Sequence, residues 1–455
     1  MNAADSTLLS RYGGNLPRYT SYPTAAQFSD AVGPADSQEW LSALPATQPV
    51  SLYLHVPFCD TLCRFCGCNT AVLRDTDARA AYAALLHEEL RRILKLIGTG
   101  RRVTHLQWGG GTPTTLPAGA MRRVMQVIRQ NFTITPDAEI SIEVDPRHLP
   151  PEYPALLHEL GFNRASMGVQ DLDPQVQDAC GRIQSWEQTR ACLDALRNAG
   201  VASVNIDLIY GLPRQDTDSV TRTAQAVATL RPDRLAVFGY AHVPWKQKRQ
   251  NLMPVGELPD AQARIEQRAA IDAVLRHDHF LPVGLDHYAS PDDSMARAMR
   301  AGTLHRNFQG YTVDGAAALI GVGASAISSL PGGMTQNAVS SAAYARLMAQ
   351  TTDSLPVVRG VRLEDDDRVR ATIIEQIMCT MQVDVDQIIL DHNLPTSSFD
   401  TELSRLDPMM RDGLVSMTAR HVRVTEKGRP FVRHVAAVFD RYLSPQTTPL
   451  HASAL

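Results

Sequence analysis

Cys59, Cys63, Cys66 and Cys68 fall within ten residues, in the run His55-Val-Pro-Phe-Cys-Asp-Thr-Leu-Cys-Arg-Phe-Cys-Gly-Cys-Asn69. The 455-residue chain has seven cysteines in all, so chance composition does not account for the cluster. The first three are spaced C-x3-C-x2-C. Three thiolates on one short loop suit three irons of a four-iron, four-sulfur cluster. The fourth iron is then left open to bind and reduce a small molecule, which clusters with four cysteine ligands cannot do. Structural zinc is the competing reading, but it usually takes two close pairs separated by a longer loop. Cys68 stands too close to Cys66 to join the same cluster. It reads as a group facing a substrate, or as a small buried thiol. Cys180, Cys192 and Cys379 read as buried thiols.

The other polar motifs are weaker one by one. Gly109-Gly-Gly-Thr112 bends sharply and exposes backbone groups. It lacks the Lys-Ser/Thr ending of a phosphate loop and the dinucleotide fingerprint. Beside a cluster it would contact a small zwitterion through backbone atoms. Glu143 and Asp207 are candidates for an ammonium group and a ribose hydroxyl pair, against a reading as satisfied polar residues. Arg182 competes with an exposed salt bridge.

These motifs need elements to position them. Strand-like apolar runs occur at 51–57, 103–108, 138–144, 164–169, 203–210, 234–240 and 281–286. Helical spacing is clearest over Asp77–Ile97 and recurs near 117–131, 186–199, 218–229 and 260–278. Strand–helix alternation predicts an α/β fold with a parallel sheet, here a barrel or partial barrel of six or seven units. The cysteine loop, the glycine run, Glu143, Gln170, Asp207 and Tyr240-Ala-His242 all follow strand ends, on the face where barrel active sites lie. Residues 1–35, with Arg18-Tyr-Thr-Ser-Tyr-Pro-Thr24, read as an extended arm, and 36–355 as the barrel with extensions. Residues 356–455 read as a mostly helical, winged-helix-like module. An acidic run (Glu364–Asp367) opens a helix there, and a hairpin pattern spans 413–428. Such modules often bind DNA; a structural lid is the reading preferred here.

The net charge of −4 with 44% hydrophobic residues does not suggest a nucleic-acid binder. The first residues lack the apolar core of a signal peptide, and no apolar stretch has membrane-spanning length. An odd cysteine count with four crowded together favours a reducing cytosol and a metal. The expected location is cytoplasmic, with no membrane and no nucleic-acid partner.

Taken together, the motifs resemble a known family. C-x3-C-x2-C after a first barrel strand resembles the radical S-adenosylmethionine enzymes. Tyr53-Leu-His-Val-Pro-Phe58 and Cys66-Gly-Cys-Asn69 narrow this to the oxygen-independent coproporphyrinogen III dehydrogenases (oxidases). So do Trp108-Gly-Gly-Gly-Thr-Pro-Thr114, Ile142-Glu-Val-Asp-Pro-Arg147, Ser166-Met-Gly-Val-Gln-Asp171, Asn205-Ile-Asp-Leu-Ile-Tyr-Gly-Leu-Pro213 and His305-Arg-Asn-Phe-Gln-Gly-Tyr311. The resemblance covers nearly the whole chain. It implies a partial (β/α)6 barrel of the radical S-adenosylmethionine type.

The resemblance also implies one [4Fe-4S] cluster on Cys59, Cys63 and Cys66, and two S-adenosylmethionine molecules. Tyr53, Gly110, Glu143 and Ile327 match positions at the first, and Phe65, Gly111, Thr112, Gln170, Arg182, Asp207 and Ala241 positions at the second. Cys68, Tyr53 and Glu143 are the expected catalytic set. The implied reaction converts two propionates of coproporphyrinogen III to vinyl groups through a 5′-deoxyadenosyl radical, giving protoporphyrinogen IX. It needs an electron donor and an electron acceptor of unknown identity. Arg18 and Arg306 are candidates for the substrate carboxylates, against intradomain or surface ion pairs. A monomer is expected. The nearest alternative is a haem-binding chaperone with the same barrel, which usually lacks the fourth cysteine and the long arm. A non-catalytic metal- or DNA-binding module is the other.

Overall fold

The computed structural model describes Leu8 and residues 11–443. Residues 1–7, 9 and 10 of the expected arm and residues 444–455 of the expected C-terminal module lie outside the described residues. Six parallel strands form the centre: β1 (Val50–Val56), β2 (Arg101–Gly110), β3 (Phe132–Val144), β4 (Arg164–Gln170), β5 (Ser203–Tyr210) and β6 (Arg234–Gly239). Helices α1 (Thr76–Ile97), α2 (Ala118–Asn131), α3 (Tyr153–Glu159), α4 (Trp186–Asn198), α5 (Thr217–Ala228) and α6 (Ala261–His277) follow them in turn. The sequence signals for α1 are explicit. The Asp75 carboxylate caps it by accepting from Ala78 N at 3.0 Å, and Gly98, at φ 78°, ends it. Leu86, Leu90 and Ile93 bury its inner face against the sheet, in one large core.

The seventh expected strand behaves differently. β7 (Leu281–Val283) turns back on β8 (His287–Ala289), and β8 pairs antiparallel with β6. Pro282 has no N–H to donate to a ladder, so its strand belongs at an edge. Gly284 at φ 54° makes the tight reversal. On the other side, β9 (Ala318–Val322) pairs parallel with β1. Then β10 (Ile327–Leu330), β11 (Gly333–Asn337) and β12 (Val357–Arg362) continue the sheet antiparallel. The order is β12-β11-β10-β9-β1-β2-β3-β4-β5-β6-β8-β7. The sheet curves without closing, so the architecture is the expected partial barrel with six parallel βα units.

The C-terminal module has its own core. The acidic run caps α7 (Asp365–Thr380). The expected hairpin forms as β14 (Val415–Thr418) and β15 (His421–Val424). A third strand, β13 (Gln382–Asp384), adds to β15, and a short α8 (Val432–Ala437) follows. The three residues of β13 are too few to show a period. Leu8, Tyr12, Tyr19 and Tyr22 of the arm join the same core as Ile373, Ile377 and Phe439. No described helix is long and apolar enough to cross a membrane.

Candidate functional site

The C-terminal ends of the parallel strands open into a cavity of about 700 Å³. Cys59, Cys63, Cys66 and Cys68 line it together with Phe65, Gly110, Gly111, Thr112, Glu143, Gln170, Arg182, Asp207 and Ala241. The sheet register brings these together: Glu143 sits opposite Ser166, and Gly168 opposite Asp207. A shift in register between Gly168 and Gln170 accompanies the positive φ of Gln170, 71°. An unusual backbone of this kind persists only where its surroundings enforce it.

Tyr53 and Ile327 stand apart from that lining. A side chain on Gly109 would come within 2.6 Å of Glu143 Oε1 and 3.0 Å of the Tyr53 ring, so Tyr53 and Glu143 crowd one glycine. Gly321 pairs with Tyr53 across the sheet, and a Cβ there would lie 2.4 Å from the Ile327 carbonyl. Both residues therefore belong to the wall behind the glycine run.

The cysteine loop is fastened at several points. Gly111 N donates to Val56 O at 2.8 Å and Thr112 N to Phe58 O at 2.7 Å. Short parallel segments Phe58–Cys59 and Ala71–Val72 close its base. From the far side, Gln250 Nε2 donates to Phe65 O at 2.8 Å and to Ala241 O at 3.1 Å. Arg249 donates to Thr70 Oγ1 at 2.7 Å and Thr70 O at 2.8 Å. Gln250 and Arg249 were not foreseen, and nothing in the spacing around them would have found them.

Each of the three expected ligand sulfurs accepts a hydrogen bond. Thr112 Oγ1 donates to Cys59 Sγ at 3.7 Å, and the Cys68 N–H to Cys66 Sγ at 3.4 Å. Cys63 Sγ accepts from Arg182 Nη1 at 3.4 Å and Arg147 Nη2 at 3.6 Å. Hydrogen bonding from Cys68 draws the Cys66 thiol down to about 6, and the Cys68 thiol moves up. Burial pushes the Cys59 thiol up to about 11. Among the described residues, no three Cys, His, Asp or Glu side chains converge as a single bound ion requires. Three thiols around one concavity, with donors and two guanidinium groups aimed at their sulfurs, suit an iron–sulfur cluster. Hydrogen bonds to sulfur are among the features that tune such clusters.

Arg182 is not an exposed ion-pairing residue. It is 7% exposed, lies 3.3 Å from Asp145 and 3.2 Å from Gln184 Oε1, and donates to Gly168 O. Asp145 also holds Arg147 at 2.7 Å. Burial opposes ionisation of Asp145, but the two guanidinium groups hold its carboxyl down to about 2. Glu143 behaves oppositely. Burial raises it to about 7, although Gly110 N donates to its Oε2 at 3.0 Å. A cation beside this carboxylate would return it to the ordinary range. Asp207, also raised by burial, accepts from Asn205 Nδ2 at 2.7 Å and Ser166 Oγ at 3.2 Å. Arg147, Ser166 and Asn205 lie inside the motifs quoted above, which is the signal that could have found them.

Arg18 and Arg306 both reach this cavity. Arg18 Nη2 donates to Gly239 O at 2.9 Å. Arg306 lies 4.2 Å over the Tyr311 ring and donates to Tyr19 O and Arg18 O at 3.2 and 3.3 Å. The barrel edge thus grips the arm next to the site.

A six-unit partial barrel whose first loop bears C-x3-C-x2-C at the mouth defines a radical S-adenosylmethionine enzyme, and residues 53–227 match the model of the Radical SAM superfamily. The relatives are more specific. An oxygen-independent coproporphyrinogen III oxidase of Bradyrhizobium diazoefficiens is 46% identical over 97% of both chains. That of Escherichia coli is 40% identical over 96% of this chain and 95% of its own. A solved structure of coproporphyrinogen III oxidase from Escherichia coli, described as a radical SAM enzyme, superposes with a TM-score of 0.89. It is 40% identical and covers 94% of this chain and 98% of the solved one. The chain belongs to the oxygen-independent coproporphyrinogen III oxidases. The family implies a [4Fe-4S] cluster and S-adenosylmethionine.

Proposed function

We propose that Cys59, Cys63 and Cys66 hold the cluster and that two S-adenosylmethionine molecules lie beside it. Tyr53, Gly110, Glu143 and Ile327 surround the first. Phe65, Gly111, Thr112, Gln170, Arg182, Asp207 and Ala241 surround the second. The chain is an oxidoreductase of haem biosynthesis that converts coproporphyrinogen III to protoporphyrinogen IX without oxygen. When bound, the reduced cluster and S-adenosylmethionine supply a 5′-deoxyadenosyl radical that takes a hydrogen atom from the β-carbon of a propionate. Each propionate gives up one hydrogen atom, one carbon dioxide and one electron, leaving a vinyl group. The electron passes to a separate acceptor.

The residues of the chain bind, orient and shield. Glu143 takes the ammonium group, which compensates the burial of its carboxylate. Asp207, held by Asn205 and Ser166, takes ribose hydroxyls. Gly110 and Gly111 let the backbone approach the ligand. Arg147 and Arg182 offset the thiolate charge at Cys63. Cys68 stays outside the ligand set and faces the substrate. The arm covers the mouth and restricts water. The chain acts as a cytoplasmic monomer with an external electron donor.

One observation carries this reading: three hydrogen-bonded thiols share a single cavity with Glu143 and Asp207. The test is an anaerobic assay with coproporphyrinogen III, S-adenosylmethionine and a reductant. Carbon dioxide release should require all three. Serine at Cys59, Cys63 or Cys66 should abolish the cluster absorbance, whereas Cys68→Ser should retain it and lose turnover. An intact cluster without product would instead favour a haem-binding role, and loss of the cluster in Cys68→Ser would overturn the ligand assignment.

A further inference from the structure

A second cavity of about 180 Å³ lies between α6, the arm and the C-terminal module. Arg18 and Gly239–Ala241 line both cavities, so the smaller is an annex of the larger. Six arginines line it: Arg18, Arg264, Arg268, Arg276, Arg429 and Arg433. They face three carboxylates, Asp272, Asp286 and Glu426. Those acids are already engaged. Arg276 pairs with Asp272 at 2.7 Å and Glu426 at 3.3 Å, and Asp286 contacts His287 at 2.8 Å.

Four of the other arginines lack a carboxylate partner among the described residues. Among the described residues, Arg18, Arg264, Arg268 and Arg429 make no ion pair, and the buried Nε of Arg264 makes no hydrogen bond. Arg264, Arg268 and Arg429 donate only to the backbone, at Tyr240 O, Leu285 O and Gly284 O. Burial lowers both Arg264 and Arg429. Arg18 lowers Arg264 further, against Tyr210 and Tyr240, and Arg268 and Arg276 lower Arg429, against Tyr288 and Glu426. Like charges held together under cover are costly unless an anion joins them.

The main cavity holds fewer such groups. Besides Arg18, which it shares with the annex, it has Arg306, whose nearest carboxylate is Asp286 at 4.0 Å. Arg147 and Arg182 are committed to Asp145, and Arg164 and Arg234 to Glu139 and Asp293. Arg249 is committed to Thr70. A tetracarboxylate held there still needs guanidinium partners for the carboxylates that do not react. The annex has room for about six waters, which suits two short carboxylate arms and not a macrocycle.

We propose that this arginine annex anchors the two propionates of coproporphyrinogen III that survive into protoporphyrinogen IX, a proposal that rests on the function given above. Holding them in the annex turns the opposite edge of the macrocycle, with its two reacting propionates, toward the cysteine wall. Guanidinium groups suit the role because they recognise carboxylates through two parallel hydrogen bonds.

The test uses Arg268→Gln and Arg429→Gln in the full-length, cluster-loaded enzyme. Substrate and product both carry the surviving propionates. The KM for coproporphyrinogen III and the inhibition constant of protoporphyrinogen IX should therefore rise together, by about tenfold or more. Cluster absorbance and substrate-free reductive cleavage of S-adenosylmethionine should match wild type, which separates binding loss from misfolding. Arg268→Lys, which keeps the charge without the fork, should recover part of the loss. A rise in KM with an unchanged product constant would assign the annex to the reacting propionates and overturn the proposal. Unchanged values in both would remove the annex from substrate binding. Relief of inorganic phosphate inhibition, with both constants unchanged, would make it a free-anion site and overturn the proposal as well. Wild-type turnover decides the main reading separately: if wild type releases no carbon dioxide, that reading fails before any variant is compared.

Discussion

Glu89 offers a quantitative test of how the wall behind the glycine run is held. It lies on α1, fully inside the protein, and accepts three hydrogen bonds: from Gly323 N at 2.7 Å, Asn337 Nδ2 at 2.6 Å and Tyr344 Oη at 2.7 Å. Gly323 follows β9 and leads into Ile327, so Glu89 pins the turn that carries that residue. Burial raises its carboxyl from 4.5 to about 7, against the pull of these bonds and of Arg92. A raised folded-state value means that the native chain binds a proton the unfolded chain has released. Stability from this group is therefore full below pH ~4.5 and lost as pH rises through ~7. Between pH 5 and pH 8 the loss comes to about 2.5 kcal/mol, at about 1.4 kcal/mol per unit. Glu89→Gln removes the titration while leaving all other groups in place. In urea unfolding followed by tryptophan fluorescence, the stability gap between wild type and Glu89→Gln should shift by about 2.5 kcal/mol in favour of the variant from pH 5 to pH 8. Equal pH slopes for the two proteins would refute the reasoning, because Glu89 would then ionise alike in the folded and unfolded chains.

Three further outcomes follow from the site. Gln250→Ala removes three hydrogen bonds from a buried side chain, including the one from Val243 N at 2.6 Å. It should destabilise the chain by about 3 kcal/mol and raise the KM for S-adenosylmethionine, read by thermal unfolding and initial rates. Gly111→Ala would press a Cβ to 2.6 Å from Phe58 O and 3.0 Å from Cys59 Sγ; because backbone cannot yield cheaply there, reconstituted cluster content should fall. Asp145→Asn frees Arg147 and Arg182 from a carboxylate that orients both toward Cys63, and the potential of the reconstituted cluster, measured by redox titration, should move from the wild-type value.

Much of this was legible in the chain because local chemistry and fold agree. The expected helices carry clear 3.6-residue periods, α1, α4, α5 and α6 start on side-chain caps, and α1 begins one residue from its expected start. The cysteine spacing, the glycines and the acids at strand ends announce the site because each needs a particular residue type at a fixed place. What was not legible depends on contacts between distant segments. The 281–286 run has the hydrophobicity of a parallel strand, but Pro282 and Gly284 turn it into an edge hairpin. Gln250 and Arg249 grip a loop some 180 positions earlier in the chain, and no local pattern encodes such a grip. The sequence alone did not decide between a site role and an exposed salt bridge for Arg182, because its partners, Cys63 and Asp145, lie in other loops. Of the annex arginines only Arg18 was singled out; the others were missed for the same reason, since α6 and the C-terminal module each contribute only a few.

The seating of the arm has a consequence for how the protein is made. Tyr19 Oη donates to Asp440 at 3.0 Å across 421 residues of chain, and Arg11 and Tyr12 bind Asp412 across 401 and 400. During translation these partners emerge last. The strands of the sheet, the last ending at Arg362, and the cysteine loop are therefore all made before these contacts of the arm can form. Synthesis itself thus sets a window in which iron and sulfide reach the loop without moving any finished part aside. Chains truncated before residue 412 should keep that window open indefinitely.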